Sequence, residues 1–564
     1  RPPAAPARPS RVAILSPRST ALALGEPPAL SSDGRRIAFV AIDASGTYLL
    51  YVRPLDSPNA SALPGTEGAR MPFWSPDGRA IGFFAQGKLK TVELAGGRVQ
   101  TLAEASTPRG GTWSSQGSIL FVPSPRIPPH LISATGGEAK AVPVAETVPG
   151  VFTRRSPYFL PDGRHYLYLA YDRVEGKHMT SIGTIDSKES KRLVESRSTA
   201  AYAAPGYLLY RRDRELVAQR FDPDKLELSG SPVPIVSEIG YNPITMHSLF
   251  GVSGGDTLAY FPPDALQAQL VWFDRQGREI ERVGSPGYRN SMSLSADARR
   301  VVYDETSEGG DLDVWTLDVA GGGAPSRVTF DSVTDMYPVV SPDGTRVVFS
   351  SLRGGPPTLY EKPTSGVTAE APLTHLDRPQ MGSTWSADGR YLAYMIMGPN
   401  AKWDISVLPM SGERVSFAFA DTPFDERAPE ISADGNWMAY SSDEAGTFEI
   451  YVRPFPKGAG KWQLTRGGGY QPHWRRDGKE LYYLTSDGRI VALEVRGRPP
   501  VFEVGASTPL FRARIGSGLD SSGAWNTYAP SADGQRFLIN RLTEAAERAP
   551  IMLVLDWDAE LRKR

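Results

Sequence analysis

At 564 residues the chain is too long for one ordinary hydrophobic core, so a repeat array or several domains are expected. Its 40% hydrophobic and 22% charged residues suit a globular protein, and a net charge of −1 gives no overall field to draw in nucleic acid or an anionic membrane. Cysteine is absent, which excludes disulfides, thiolate metal sites and a cysteine nucleophile.

Residues 1–10, opening Arg1-Pro2-Pro3-Ala4-Ala5-Pro6, read as a stiff extended linker. The first residue is not Met, and the chain reads as part of something longer. No apolar run approaches the ~20 residues that span a bilayer. Residues 11–22 supply a spare strand, Arg11-Val12-Ala13-Ile14-Leu15, and from there a turn recurs. It is legible at Ser31-Ser32-Asp33-Gly34, Ser75-Pro76-Asp77-Gly78, Leu160-Pro161-Asp162-Gly163, Ser341-Pro342-Asp343-Gly344, Ser386-Ala387-Asp388-Gly389, Ser432-Ala433-Asp434-Gly435, Arg475-Arg476-Asp477-Gly478 and Ser531-Ala532-Asp533-Gly534. Weaker copies stand at Ser114-Ser115-Gln116-Gly117, Ala204-Pro205-Gly206, Ser253-Gly254-Gly255-Asp256 and Ser295-Ala296-Asp297-Ala298. Asp33 and Asp77 are 44 residues apart, and Asp343 and Asp388 are 45 apart. That period matches a four-stranded propeller blade.

Each unit has the same local physics. Asp-Gly closes a tight hairpin, with Gly taking a positive φ and Asp bonding its own backbone. A short apolar strand follows, such as Arg36-Ile37-Ala38-Phe39-Val40 or Trp437-Met438-Ala439-Tyr440. A third strand comes next, then a shorter polar one. A single blade cannot bury both faces, whereas a closed ring can.

Twelve copies predict an all-β chain of two six-bladed β-propellers, residues 23–285 and 286–564, with Gly284-Ser285-Pro286-Gly287 as the linker. The twelfth copy has three strands, ending at Ile551–Trp557. The strand at residues 11–22 is placed to complete it and so to interlock the two rings.

The pattern Trp/Phe-Ser-Pro-Asp-Gly-Arg followed by Ile-Ala-Phe resembles the TolB-like, WD-repeat-like propeller family over nearly the whole chain. Tyr51-Val52-Arg53-Pro54-Leu55-Asp56, Phe73-Trp74-Ser75-Pro76-Asp77-Gly78, Gly110-Gly111-Thr112-Trp113, Val452-Arg453-Pro454-Phe455-Pro456 and Trp474-Arg475-Arg476-Asp477-Gly478 resemble a narrower group. These are the propellers that follow a transmembrane segment in bacterial receptor-type serine/threonine protein kinases. That resemblance implies an extracytoplasmic sensor or interaction domain, periplasmic or at the cell surface and tethered in the full-length protein. No glycine-rich phosphate loop, His-Arg-Asp or Asp-Phe-Gly motif is present.

Little catalytic chemistry is legible. Gly251-Val252-Ser253-Gly254-Gly255 fits G-x-S-x-G, but a strand follows it where a nucleophile elbow needs a helix. The six histidines have no His-x-x-x-His spacing, and single Asp-Gly turns supply one carboxylate each, so neither a metal nor a cofactor is read from the sequence.

The connections leading into each blade's first strand converge at one mouth of a ring. In the first half they carry Arg70, Arg109, Arg154, Arg155 and His247; in the second, Asp335, Tyr337, Glu426, Arg427, Tyr470 and Trp525. The arginines suggest an anion-binding funnel. The alternative is that they pair with Glu67, Glu146 or exposed carbonyls. Trp74, Trp113, Trp385 and Trp474 stand just before the turns, where packing between blades is expected.

The leading expectation is a non-enzymatic module binding a protein, peptide, glycan or small anion at a ring mouth. The alternatives are a propeller-type lyase or lactonase with a channel metal, and a TolB-like scaffold.

Overall fold

The computed structural model describes residues 9–125, 127–144, 151–172, 177–307, 310–331, 333–353, 355–400, 402–515 and 526–563. Trp525, Glu146 and most of the opening linker lie outside them.

The turns form as their residues require. In the first, the Ser31 hydroxyl donates to Asp33 Oδ1 at 2.6 Å, the same oxygen accepts the Arg35 N–H at 3.0 Å, and Gly34 takes φ +66°. The Ser–Asp bond recurs at Ser75–Asp77, Ser295–Asp297, Ser386–Asp388, Ser432–Asp434 and Ser531–Asp533. It is the main cause of the lowered pKa of Asp33 and Asp77. Ser253 does the same work, accepting the Gly255 and Thr257 N–H groups, and the strand Thr257–Tyr260 follows. The G-x-S-x-G match is therefore a blade turn.

Each turn joins an inner strand to a buried second strand, and twelve antiparallel blades result. They fall into two compact units. In the first, the inner strands include Ala29–Leu30, Arg70–Trp74, Gly111–Trp113, Val151–Phe159, Ala200–Ala203 and Phe250–Val252. In the second they are Arg289–Leu294, Asp335–Val340, Gln380–Trp385, Glu426–Ile431, Tyr470–Trp474 and Tyr528–Pro530. Six blades each make two six-bladed propellers, and apolar clusters lie between neighbouring blades. In one, Ala38, Val40 and Leu50 of one blade meet Trp74, Ile81 and Phe83 of the next.

The closing blades differ from simple repeat order. Ser10–Ile14 does pair with Ile551–Leu555, Ala13 facing Met552. That pair, however, completes the blade begun by Phe250–Val252 and Thr257–Tyr260, in which Leu258 faces Val554. Of the strands that repeat spacing gives to the sixth copy, Ala268–Asp274 pairs with Arg536–Leu542 and Glu279–Gly287 pairs with Ala268–Asp274, so that the two complete the twelfth. Gly284–Gly287 is thus the end of an edge strand and not a linker. The chain leaves the first unit after Leu266, builds the second from Gln267–Ser307 and Asp311–Thr543, and returns at Glu544. No helix among the described residues is long and apolar enough to cross a membrane.

Inner strands of both propellers begin with a bulge whose central residue has positive φ: Met71 at 47°, Ser156 at 54°, Tyr337 at 55°, Ala428 at 48° and Gln471 at 49°. The bulge N–H is taken by a group from the preceding blade in several of them. Glu26 accepts it from Met71 at 2.8 Å, Asp304 from Tyr337 at 3.0 Å, and the Arg109 carbonyl from Ser156 at 2.7 Å. This repeated bulge sets what faces each channel.

Candidate functional site

The first propeller contains a cavity of about 510 Å³ along its axis, lined by inner strands from all six blades. Ser32, Pro76, Ser115 and Pro161, at the Asp-Gly turn side, are exposed and form its mouth. Met71, Ser156 and His247, at the bulge end, are buried and form its floor. Phe73, Trp113, Tyr158 and Tyr202 line the wall and are half-exposed. Small residues make room for them: a Cβ on Gly82 would lie 2.3 Å from the Phe73 ring, and one on Gly111 would lie 2.7 Å from it. Gly251 brings the last blade against the first, since a Cβ there would sit 2.2 Å from the Pro28 carbonyl oxygen.

None of the described residues lining this cavity is Asp, Glu, Lys or Arg. His247 is the one titratable imidazole, and it is neutral. Burial, followed by the nearby charges of Arg109, Arg155 and Arg70, pushes its pKa down to about 3. Its Nε2 lies 3.1 Å from Ser156 Oγ, and its Nδ1 is buried without a hydrogen-bond partner among the described residues.

The arginines expected to form an anion funnel do not line the cavity, and the structure turns the groups for which bonds are defined into the protein. Arg70 Nε donates to Glu26 Oε1 at 2.7 Å. Arg109 donates to the carbonyls of Thr107 and Pro108, and Arg155 to Thr153 Oγ1 and the Ile244 carbonyl. Arg154 is half-buried in its own blade opposite Ala170. His247 alone among the expected first-half residues reaches the cavity.

In the second propeller the expected residues are mostly internal clasps. Asp335, fully buried, binds Arg353 Nη2 at 2.9 Å. Burial raises its pKa to about 6. Tyr337 is buried at its bulge. Glu426, 1% exposed, accepts from the Thr422 hydroxyl through Oε1 and leaves Oε2 without a partner among the described residues. Arg427 makes a bidentate pair with Asp425 at 2.8 and 2.6 Å, with its guanidinium over the Phe448 ring. Tyr470 is half-buried beside Phe448. Among the described residues no group of three or more His, Asp and Glu could hold a metal ion.

The tryptophans expected to pack between blades do so, and two of them, Trp74 and Trp113, also line the cavity. Trp74 and Trp474 do pack, each donating its indole N–H to a carbonyl of the preceding blade, at 2.9 and 3.1 Å. Trp113, in the same register, lines the cavity. Glu26, the partner of Arg70, lies in no repeat motif, and only its buried position reveals it.

No family model matches the chain. It is 42% identical over 88 residues to tricorn protease homolog 1 of Streptomyces coelicolor, a match covering 15% of this chain and 8% of that one. It is 25% identical over 287 residues to an uncharacterized protein of Agrobacterium fabrum, covering 49% of this chain and 92% of the other. Among solved structures, TolB from Acinetobacter baumannii matches 63% of this chain and 80% of its own at 15% identity, with a TM-score of 0.33. The tricorn protease matches 87% of this chain and 63% of its own at 11% identity, with a TM-score of 0.30. The chain's own sheets make it a two-propeller protein, and the proteins to which it is similar include propellers of the TolB and tricorn kind.

Proposed function

We propose that this chain is a ligand-binding module, not a catalyst, and that the ligand enters the central channel of the first propeller from the turn side. The observation that carries this reading is the cavity of about 510 Å³, of a size that holds small ligands, walled by four partly buried aromatic rings. Aromatic walls favour contact area and stacking over charge recognition. An extracytoplasmic sensor role fits the resemblance to receptor-kinase propellers, and a TolB-like scaffold role would use the same channel mouth.

One contact favours a catalytic reading, the Ser156–His247 pair on the floor. Two facts weigh against it. The positive φ of Ser156 recurs at Met71, Tyr337, Ala428 and Gln471, so it belongs to the blade and is not strain stored for chemistry. An imidazole with a pKa near 3 is also a weak base for a serine hydroxyl.

The test is a thermal-shift screen of small molecules and short peptides against the wild type and Trp113→Ala. Hits that lose their shift in Trp113→Ala support the channel, and hits indifferent to Trp113 would move the site elsewhere.

A further inference from the structure

The floor of the channel specifies more than an apolar shape. His247 Nε2 faces Ser156 Oγ, and its other ring nitrogen is buried without a partner among the described residues. Either tautomer leaves one ring atom unsatisfied. With the N–H on Nδ1, a buried donor is left without a partner among the described residues; with the N–H on Nε2, Nδ1 keeps only a lone pair, and a buried acceptor left unpaired is commoner than a buried donor. Nε2 then donates to Ser156 Oγ. The Ser156 N–H is already given to the Arg109 carbonyl. Its hydroxyl proton is left as a donor at the buried end of an aromatic channel.

The walls set the other requirement. With no Asp, Glu, Lys or Arg among the described lining residues, an ion entering the channel loses its hydration with no charged lining side chain in contact to replace it. We infer that the channel selects a small uncharged ligand that lays an apolar ring against Phe73, Trp113, Tyr158 and Tyr202 and offers a carbonyl or hydroxyl oxygen to the Ser156 hydroxyl. This rests on the channel being the binding site.

A matched series separates the two claims: phenylacetamide, phenylacetate, phenethylammonium and ethylbenzene, titrated against the full chain by ligand-observed NMR. Phenylacetamide is expected to bind at least roughly tenfold more tightly than either ion, the preference set by the uncharged wall. Ser156→Ala is expected to remove the advantage of the amide over ethylbenzene, about tenfold for one hydrogen bond, while leaving ethylbenzene unchanged. The variant is compatible with the backbone, because Ala428 occupies the equivalent bulge at φ +48°. Phenylacetate binding as tightly as the amide, or an amide preference that survives Ser156→Ala, overturns the inference. If all four bind equally and all depend on Trp113, the channel stands and the selectivity falls. If none binds, both fall.

Discussion

Completion of each propeller by a distant strand makes a covalent prediction that a cysteine-free chain tests cleanly. Ala13 faces Met552, and Gln269 faces Arg541, in antiparallel ladders. Facing residues in such ladders have Cα atoms about 4.5–5.5 Å apart, inside the range a disulfide tolerates. Ala13 is exposed, and Met552, Gln269 and Arg541 are half-exposed, so cysteines there disturb little of the core. Ala13→Cys with Met552→Cys should oxidise to a single intramolecular disulfide, and so should Gln269→Cys with Arg541→Cys. The loops closed are very long, roughly 540 and 270 residues, and chain entropy alone would then stabilise each oxidised form by up to about 6 kcal/mol relative to its reduced form. Mobility on a non-reducing gel reads the closure, and denaturant midpoints with and without reductant read the gain. Thiols that stay free at Gln269 and Arg541 in folded protein would refute the strand exchange, because repeat order pairs Arg536–Leu542 with the strand that follows it.

Other outcomes follow from single contacts. Gly251→Ala forces a Cβ to 2.2 Å from the Pro28 carbonyl oxygen at the seam of the first propeller and should cost about 1–3 kcal/mol in urea unfolding. Gly255→Ala, whose nearest neighbour would be Ser253 Oγ at 3.8 Å, should be nearly neutral. Arg70→Ala leaves the buried Glu26 carboxylate without its ion pair and should destabilise by about 3–5 kcal/mol, a loss read in unfolding rather than in ligand affinity. Glu426 has its pKa raised to about 7 from 4.5, by burial first, with the charges of Asp404, Asp425 and Asp443 adding to it against the Thr422 hydrogen bond. Its stabilising contribution is therefore complete below pH 4.5 and lost as pH rises through 7. Glu426→Gln should remove that slope, a change on the order of 3 kcal/mol between pH 4.5 and 8 in denaturant titrations.

The repeat was legible because Asp-Gly turns impose a local geometry that one sequence window contains. Blade count, strand order within a blade and the two-ring division all follow from it. The ring closures were only half legible. Val12-Ala13-Ile14 and Met552-Leu553-Val554 read as strands with a missing neighbour, but which inner pair they join depends on long-range packing that no window holds. The side-chain partners of the mouth residues were not legible for a related reason. Arg70 and Glu426 do sit where blade connections converge, yet Glu26 and Thr422 hold their side chains inward, and those partners belong to no motif. Trp113 was hidden by its resemblance to Trp74. The two share a register and both line the channel, and the Trp74 indole N–H also finds the Ala29 carbonyl.

Hydroxyl-radical footprinting with and without phenylacetamide tests most directly whether the first channel is where this protein binds. Phe73, Trp113, Tyr158 and Tyr202 should become protected together, while Phe330, 64% exposed in the second propeller, stays unchanged. Phenylacetamide that binds yet leaves those four rings as reactive as before would contradict the channel as the binding site.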